Sequence, residues 1–321
     1  MLPNTLQEGR PCSVRCRLVV ILRGRANIRI RARKAIAALS RWEAHSMHVE
    51  HAVVTQNVSP MRAQPTTDAE QVSQAIFGEV VRVLAQDGAY ARIQTPDAYE
   101  GWIFAEHLVP LTEGDTYPAP TSAAAVAALF LPLLREPSER AEAITILTLG
   151  TMLQVAQQDV RSGYCAVSLP GGGTGYVEAA GLMDPPVAPV EDTAACLAQA
   201  GKKLIGVPYL WGGRTPFGMD CSGFIQRIFF LCGRTIPRDA HDQAGFAAFD
   251  AVDLRDVRQG DLLFFGRGEG MDRMGITHVG MCLGDGRFIH SAGSWGVTTT
   301  SMDDPHYLAI YRCARRLRSA P

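Results

Sequence analysis

The sequence predicts an α+β fold in which two small β-barrels precede a domain built from helices and a sheet. Two observations lead to this prediction. The middle of the chain carries a weak repeat of short strand-like runs, and from Glu191 onward helical patterns come before further strand-like runs. Short strands at regular spacing are typical of small barrels, and helices followed by a run of strands are typical of α+β domains.

The repeat predicts the two barrels. Its first copy runs from Gly78 to Pro110 and its second from Gly150 to Pro185, and turns rich in Gly, Asp and Pro separate the strands in both. Each copy also places a glycine, an aromatic residue and a β-branched residue together near its end. A repeat of this kind predicts barrels of roughly 60–70 residues each.

Composition shifts predict the domain boundaries. Segments rich in proline and alanine at 116–125 and 184–190 separate the modules, and their prolines stiffen the connections. We therefore expect barrels over residues 47–113 and 114–188, followed by the α+β domain over residues 189–321.

Residues 1–46 are left out of the fold prediction because they form an arginine-rich extension. The apolar run Leu18–Leu22 is too short for a secretory signal. Three interpretations stay open for this segment: an extension upstream of a natural start at Met47, a disordered basic arm, or an organelle transit peptide.

Charge and hydropathy exclude two classes of partner. Residues 1–42 hold ten Lys and Arg against one acid, which leaves 21 basic and 31 acidic side chains for the rest of the chain. Such an acidic body is not that of a general nucleic-acid-binding protein. The longest uncharged apolar run, Ala123–Leu134, contains Pro132 and falls short of the roughly 20 residues that a membrane-spanning helix needs. We expect neither nucleic acid nor a membrane as a partner, and we expect a monomer.

The eight cysteines are scattered along the chain and form no CxxC pair. A zinc site needs clustered Cys and His ligands, so no metal is expected, and nothing indicates an organic cofactor. The spacing likewise indicates no disulfide framework. Scattered cysteines fit a reducing compartment, and we expect a cytoplasmic protein because no secretory signal is recognisable.

Periodicity predicts the elements of the α+β domain. Asp192 or Thr193 can cap a first helix, and Cys221 precedes a second helix whose apolar residues recur at helical spacing. The first helix has its apolar positions at Leu197, Ala200 and Leu204, and the second at Ile225, Ile228, Phe229 and Cys232. Strands are expected at Asp261–Phe265, His278–Cys282, Arg287–His290 and Leu308–Arg312.

Cys221 is the candidate nucleophile. It stands after a glycine-rich loop at the start of a helix, where free backbone N–H groups favour a thiolate and can stabilise an oxyanion. A cysteine at a helix start is also often a small buried hydrophobe. His278 and His290 are candidate bases, because a Gly/Asp turn separates their strands and one imidazole can then orient the other across a hairpin.

Four segments resemble, in their order, the motif series of NlpC/P60 cysteine peptidases. They are DCSGF at 220–224, GDLLFF at 260–265, THVGM at 277–281 and FIHSA at 288–292. The resemblance implies a papain-like core with Cys221 as the nucleophile, His278 as the base and His290 as the residue that orients it. Tyr209, in the segment YLWGG, would polarise the substrate carbonyl, or is alternatively a core aromatic residue.

The barrel repeat resembles bacterial SH3-like (SH3b) domains. Together with the peptidase motifs, the chain from Met47 onward is similar to γ-D-glutamyl-L-diamino-acid endopeptidases of the dipeptidyl-peptidase VI type. The resemblance implies murein peptide turnover, with cleavage of L-Ala-γ-D-Glu from meso-diaminopimelate or L-Lys. It also implies that the first barrel caps the site. Residues matching the family's amine-binding positions are Glu70, Tyr99 and Asp220, and Ser222 and Asp239 match further positions that line the site.

Two departures from the family pattern bear on the site. Ala240 stands where relatives often have serine, and the substrate hydrogen bond of that position is left open. Residues 266–275 form a glycine-rich insertion before the His278 strand. Three other functions stay open: an exported hydrolase of intact peptidoglycan, an inactive wall-peptide-binding protein, and a lipid-directed acyltransferase. The complete set of Cys221, His278 and His290 speaks against an inactive domain, and the acidic body speaks against the acyltransferase.

Overall fold

The first sheet is a seven-stranded antiparallel barrel with the strand order β3-β2-β6-β5-β4-β1-β7. The structure of the protein is a computed structural model, which describes residues 50–112, 114, 116–159, 163–186, 188–267 and 275–318. The strands are β1 His51–Val54, β2 Val58–Arg62, β3 Gln71–Ile76, β4 Val80–Asp87, β5 Tyr90–Gln94, β6 Glu100–Phe104 and β7 Leu108–Pro110.

The second sheet repeats this order strand for strand, as β10-β9-β13-β12-β11-β8-β14. Its strands are β8 Ala123–Val126, β9 Phe130–Leu134, β10 Ala143–Thr148, β11 Met152–Asp159, β12 Tyr164–Ser168, β13 Thr174–Glu178 and β14 Leu182–Met183. Gly78 and Gly150, which open the two copies of the sequence repeat, precede β4 and β11 with φ of 78° and 81°. A left-handed backbone at both positions explains why each copy begins with glycine.

The third domain places a six-stranded antiparallel sheet, in the order β17-β22-β18-β19-β20-β21, against its helices. The helices are α1 Thr193–Lys203, α2 Cys221–Leu231, α3 Ala240–Ala244 and α4 Pro305–Ile310. The strands of the sheet are β17 Phe249–Val252, β18 Leu262–Phe265, β19 His278–Gly284, β20 Arg287–Ala292, β21 Gly296–Ser301 and β22 Tyr311–Leu317, and a short ladder joins β15 Arg214–Thr215 to β16 Gly218–Met219.

These sheets confirm the α+β prediction with two barrels in front, and each sheet falls inside one of the predicted ranges. The domain boundaries themselves stay predictions, and the three interpretations of residues 1–46 concern a segment outside the described residues. Most of the insertion before the His278 strand, residues 268–274, also lies outside them. None of the helices in the described part of the chain is both long and apolar enough to cross a membrane.

Helix α2 forms the centre of the third domain. All of its residues from Cys221 to Phe229 are buried, and its apolar side chains share one core with those of β18, β19 and β20. Burial on every side explains why its sequence is apolar beyond the usual single stripe. The core therefore holds the amino end of α2 beside the strands that carry His278 and His290.

The predicted strand at Leu308–Arg312 is wrong for most of its length. Helix α4 covers Pro305–Ile310, and β22 begins only at Tyr311. Asp304 caps α4 by accepting from the backbone N–H groups of His306 and Tyr307, and Pro305 occupies the first turn. An Asp-Pro pair is a helix-start signal, and it outweighs the apolar run that suggested a strand.

The expectation of no disulfide is also wrong. Cys196 of α1 and Cys232, which caps the carboxyl end of α2, form a disulfide with their Cα atoms 6.0 Å apart. They are 36 positions apart in the sequence and meet because α1 packs against α2. Sequence spacing alone does not reveal a pair that tertiary packing creates.

Buried polar contacts join the first barrel to the third domain. Arg214 donates from its backbone N–H and from Nε to Gln74, and its guanidinium pairs with Glu79. Gln226 of α2 donates to Asp97 over 2.6 Å. Because unsatisfied buried polar groups are costly, these contacts tie the barrel firmly to the helix that begins with Cys221.

Candidate active site

Cys221 is the first residue of α2, and its sulfur lies in a buried position. Asp220 caps the helix by accepting from Gly223 N–H over 2.7 Å. Burial raises the pKa of Cys221 to about 11, and the nearby Asp220 charge acts in the same direction. Hydrogen bonds from the N–H groups of Val279 and Ser222 lower the pKa but do not offset burial. The thiolate expected from the helix terminus alone is therefore not the resting form.

His278 and His290 lie on the adjacent antiparallel strands β19 and β20, as the hairpin argument predicts. His278 Nε2 and His290 Nδ1 are 2.8 Å apart, and His290 Nε2 is 2.9 Å from Thr300 Oγ1. If His290 donates to Thr300 and His278 donates to His290, His278 Nδ1 keeps a free lone pair. Burial lowers the pKa of His278 to about 3 and that of His290 to about 4, so both rings are neutral at pH 7.

Two groups beside the histidines were missed by sequence reasoning. Thr300 lies on β21, which pairs with β20, and Tyr307 lies on α4, where a strand had been predicted. The Tyr307 hydroxyl is 3.4 Å from His290 Nδ1, and its ring centroid is 5.0 Å from that of His290. The Asp304-Pro305 signal would have found the helix, whereas nothing in the sequence singles out Thr300.

Tyr209 is half-buried close to the thiol. Burial, reinforced by the neighbouring Cys221 and Asp220, raises the pKa of Tyr209 to about 12. Its hydroxyl is thus protonated at neutral pH and able to donate a hydrogen bond. The carbonyl-polarising role of Tyr209 stays a prediction.

Arg238 is the largest side chain in the site that sequence reasoning missed. Its guanidinium donates to Asp220 Oδ2 over 2.6 Å, to Asp220 Oδ1 over 3.1 Å and to Ser222 Oγ over 2.9 Å. Its Nε also donates to Ser73 Oγ of the first barrel over 3.2 Å. The one sequence signal for Arg238 is its position next to Asp239.

These donors change the interpretation of Asp220 and Ser222 as substrate-binding residues. Besides Arg238, Asp220 accepts from the backbone N–H groups of Gly212 and Gly223 and from the Ser222 hydroxyl. Two carboxylate oxygens offer about four acceptor positions, so protein donors already fill those of Asp220. A substrate ammonium would have to displace one of them.

The first barrel supplies the remaining predicted residues. Trp211 Nε1 donates to the exposed Glu70 over 2.6 Å, and Gln71 Nε2 donates to the Trp211 carbonyl over 2.9 Å. The Tyr99 hydroxyl donates to Asp239 Oδ2 over 3.2 Å, and burial raises the pKa of both side chains. Glu70 and Tyr99 therefore contact the segments on either side of the Cys221 region.

One group of side chains has the composition of a metal site. Asp239, His241 and Asp242 offer ligand atoms within 4.8 Å of one another. Asp239 already accepts from Tyr99, and His241 lies 3.4 Å from Asp242, so partners inside the protein account for the cluster. It carries no metal assignment.

Comparison with known proteins agrees with this geometry. The profile described as the NlpC/P60 family matches residues 206–316, and the one described as the bacterial dipeptidyl-peptidase SH3 domain matches residues 61–108. A γ-D-glutamyl-L-lysine dipeptidyl-peptidase of Bacillus subtilis strain 168 is 35% identical over 237 residues, which are 70% of this chain and 73% of that protein. Dipeptidyl-peptidase 6 of Lysinibacillus sphaericus is 27% identical over 80% of this chain and 94% of that protein.

A crystal structure of an NlpC/P60 family protein from Bacillus cereus ATCC 10987 has the same arrangement. It aligns with a TM-score of 0.70 at 25% identity and covers 83% of this chain and 99% of that one. The resemblance found in the sequence is thereby confirmed. The chain belongs to the NlpC/P60 family and is a cysteine peptidase with SH3-like barrels ahead of its peptidase domain.

Proposed function

We propose that this peptidase hydrolyses the bond between γ-D-Glu and the L-diamino acid of murein peptides whose N-terminal L-Ala carries a free amine. The products are L-Ala-γ-D-Glu and a peptide that begins with the diamino acid. One observation carries the proposal: Glu70 and Tyr99 of the first barrel contact Trp211 and Asp239. The chain neighbours of these two residues, Gly212 and Arg238, donate to Asp220, which precedes Cys221. The names of the relatives, γ-D-glutamyl-L-lysine dipeptidyl-peptidase and dipeptidyl-peptidase 6, support the same substrate class.

In the proposed mechanism Cys221 attacks the γ-carbonyl carbon while its proton passes to His278 Nδ1. The carbonyl oxygen takes up the negative charge, which the Tyr209 hydroxyl and backbone N–H groups at the start of α2 stabilise. His290, held by Thr300, keeps the His278 ring in the orientation that leaves Nδ1 free. This mechanism requires the carbonyl to lie between Tyr209 and the helix terminus, so that sulfur attack and charge stabilisation occur on one substrate group.

Collapse of the tetrahedral adduct breaks the C–N bond, and His278 gives its proton to the leaving amine. The γ-D-Glu carbonyl is then joined to Cys221 as a thioester. A water molecule gives a proton to His278 as it attacks this thioester. Breakage of the C–S bond releases the γ-carboxylic acid, which then loses its proton to solvent, and the sulfur recovers its proton from His278.

The free amine of the substrate is assigned to the barrel side of the site. A buried ammonium needs carboxylate or hydroxyl partners, and the exposed carboxylate of Glu70 and the hydroxyl of Tyr99 are in reach of a ligand there. Asp239 holds the Tyr99 hydroxyl. The oxygens of Asp220 are occupied by protein donors. We therefore assign Asp220 the role of holding Gly212 and its other donors in place, and not that of binding the ammonium.

The proposal is tested by mass spectrometry on L-Ala-γ-D-Glu-meso-diaminopimelate, on the L-Lys analogue and on N-acetylated copies of both. We expect release of L-Ala-γ-D-Glu from the free-amine peptides alone. Glu70→Gln should raise KM about tenfold or more, which corresponds to a hydrogen bond with a charged partner. Glu106→Gln, an exposed acid of the same barrel, serves as the matched control and should leave KM unchanged.

Controls at the thiol separate the alternatives. Cys221→Ala should abolish cleavage, whereas Cys313→Ala, at a free cysteine on β22, should retain it. Equal cleavage of acetylated and free peptides would indicate a hydrolase of intact peptidoglycan instead. Binding of the peptides without cleavage by the reduced enzyme would indicate a wall-peptide-binding protein.

The cytoplasmic location predicted from the sequence is part of the proposal, because peptides with a free L-Ala amine are released fragments rather than intact wall. The Cys196–Cys232 disulfide is the observation against it, since disulfides persist mainly in oxidising compartments. Acid quenching of the cells that make the protein, followed by maleimide labelling and intact mass, decides the point. Labelling of every cysteine supports the cytoplasm, and two unlabelled cysteines overturn that location.

A further inference from the structure

A cavity of about 260 Å³ lies where both barrels meet the third domain, away from the thiol. The side of α2 that carries Gln226, Arg227 and Phe230 forms one of its walls. Cys221, His278 and His290 are not among its lining residues, so the proposed reaction does not use this space.

The walls of the cavity are largely apolar. Val80 of the first barrel, Met152 of the second, and Phe230 and Ile236 of the third domain contribute the main apolar side chains. Burial of a matching apolar surface is worth about 25 cal/mol per Å². The cavity therefore favours a ligand with an apolar body about as large as one aromatic ring.

The two acidic groups at the cavity are already neutralised or hydrogen-bonded. Both oxygens of Glu79 accept from the guanidinium of Arg214. Asp97 accepts from Gln226 Nε2 over 2.6 Å and from the Thr95 hydroxyl over 2.5 Å. Among the described residues, no hydrogen bond joins either carboxylate to Arg227 or Arg234.

Two arginines at the cavity retain unused donors. Arg227 is only 4% exposed, and among the described residues its Nη2 has no hydrogen-bond partner, nor does the buried Nε of Arg234. Arg227 Nε donates to the Arg214 carbonyl, and the guanidinium carbon lies 5.2 Å from the centroid of the Phe230 ring. The charges of Glu79 and Asp97 favour the charged form of Arg227 without a hydrogen bond to it. Burial lowers the pKa of Arg227 to about 10, a sign of how unfavourable its charge is there. Unpaired buried donors are rare in folded proteins and call for a partner.

We propose that this cavity is a binding site for a small monocarboxylate with an apolar body, whose carboxylate pairs with Arg227 and Arg234. A guanidinium and a carboxylate form short, charge-assisted hydrogen bonds, and the apolar walls take the rest of the molecule. A phosphate or sulfate fits less well, because these ions lose strong hydration and gain little from apolar walls. The site is independent of the proposed peptidase function.

Isothermal titration calorimetry of the full chain with benzoate, and with benzamide as a neutral probe of the same shape, tests the proposal. We expect saturable benzoate binding and at least about tenfold weaker binding of benzamide, as one charge-assisted hydrogen bond implies. Absence of saturable heat up to about 10 mM benzoate, or equal binding of the two probes, would overturn the assignment.

Variants locate the binding. Arg227→Met should weaken benzoate binding about tenfold or more, and Val80→Phe should abolish it by filling the cavity while leaving both arginines in place. Arg92→Met, which removes an exposed arginine of β5 paired with Glu100, is the matched control and should leave binding unchanged. If Arg227→Met fails to fold, Val80→Phe decides: undiminished benzoate binding in that variant refutes the site.

Discussion

Replacing Arg238 by Met removes the positive charge from the centre of the site while keeping a side chain of similar length. The side chain of Arg238 is 1% exposed, and its partner Asp220 is nearly as enclosed. The variant leaves Asp220 with a buried charge whose only remaining donors are neutral groups. Because Asp220 caps α2, the loss acts on the helix that begins with Cys221.

The size of the effect follows from the four hydrogen bonds that Arg238 donates, to Ser73, to Ser222 and to both oxygens of Asp220. Removal of one partner from a buried ion pair typically costs about 3–5 kcal/mol. Arg92 gives the matched control, because its ion pair with Glu100 is formed by a side chain that is 49% exposed. An exposed pair contributes only about 0–1 kcal/mol.

Urea unfolding of both variants, followed by tryptophan fluorescence under non-reducing conditions, measures these free energies. We expect Arg238→Met to lose about 3–5 kcal/mol and Arg92→Met to lose less than about 1 kcal/mol. Adding Asp220→Asn to Arg238→Met should restore part of the loss, because the uncompensated charge is then gone. A loss below about 1 kcal/mol for Arg238→Met, or no recovery in the double variant, would refute the reasoning.

A second readout concerns the thiol itself. Arg238 lowers the pKa of Cys221, against the larger effect of burial. In Arg238→Met the pH at which iodoacetamide labels Cys221 should therefore move upward. A labelling profile identical to that of the unaltered enzyme would show that the charge of Arg238 does not reach the sulfur.

Three further predictions follow from the buried groups of the third domain. The pKa of His278 is lowered to about 3 and that of His290 to about 4, whereas both histidines have a pKa of about 6.5 in the unfolded chain. Between about pH 4 and 6.5 the unfolded chain therefore binds more protons than the folded chain, so the melting temperature should fall as the pH drops through this range. His290→Gln should make the melting temperature depend less on pH. Thr300→Val removes one hydrogen bond to His290 and should lower kcat about 2–12-fold with little change in KM. The pair Cys196→Ala and Cys232→Ala should cost about 2–4 kcal/mol in urea unfolding, because a disulfide closing 36 residues restricts the unfolded chain.

Each of these three predictions has an outcome that would contradict it. A melting temperature independent of pH over that window would mean that the histidines titrate normally in the folded enzyme. If Thr300→Val changed KM rather than kcat, Thr300 would act on substrate binding instead of on the His290 ring. Unchanged unfolding of the cysteine variants, with an intact mass showing free thiols in the parent protein, would remove the disulfide.

The sequence predicts what is encoded locally. Helix α2 follows from apolar spacing after Cys221, and the two barrels follow from a repeat whose opening glycines, Gly78 and Gly150, both need a left-handed backbone. The facing of His278 and His290 follows from two strands joined by a tight turn. In each case a few neighbouring residues hold the whole signal.

What the sequence does not predict depends on contacts between distant segments. Arg238 donates to Ser73, 165 positions away, and the Cys196–Cys232 disulfide forms only because two helices pack together. Neither of these two contacts produces a recognisable pattern in the sequence. Tyr307 is a different failure: its helix has a local start signal in Asp304 and Pro305, but the apolar run that follows is also typical of a strand.

Burial also reverses the protonation state that the helix terminus alone suggests, and this sets how the reaction begins. Burial raises the pKa of Cys221 to about 11 and lowers that of His278 to about 3, so burial favours the neutral thiol and the neutral imidazole in the empty site. In the proposed mechanism, transfer of the proton to His278 becomes favourable when sulfur bonds to the carbonyl carbon and the charge moves to an oxygen that faces Tyr209. By that mechanism Cys221 keeps its proton until a carbonyl placed at the site accepts the charge.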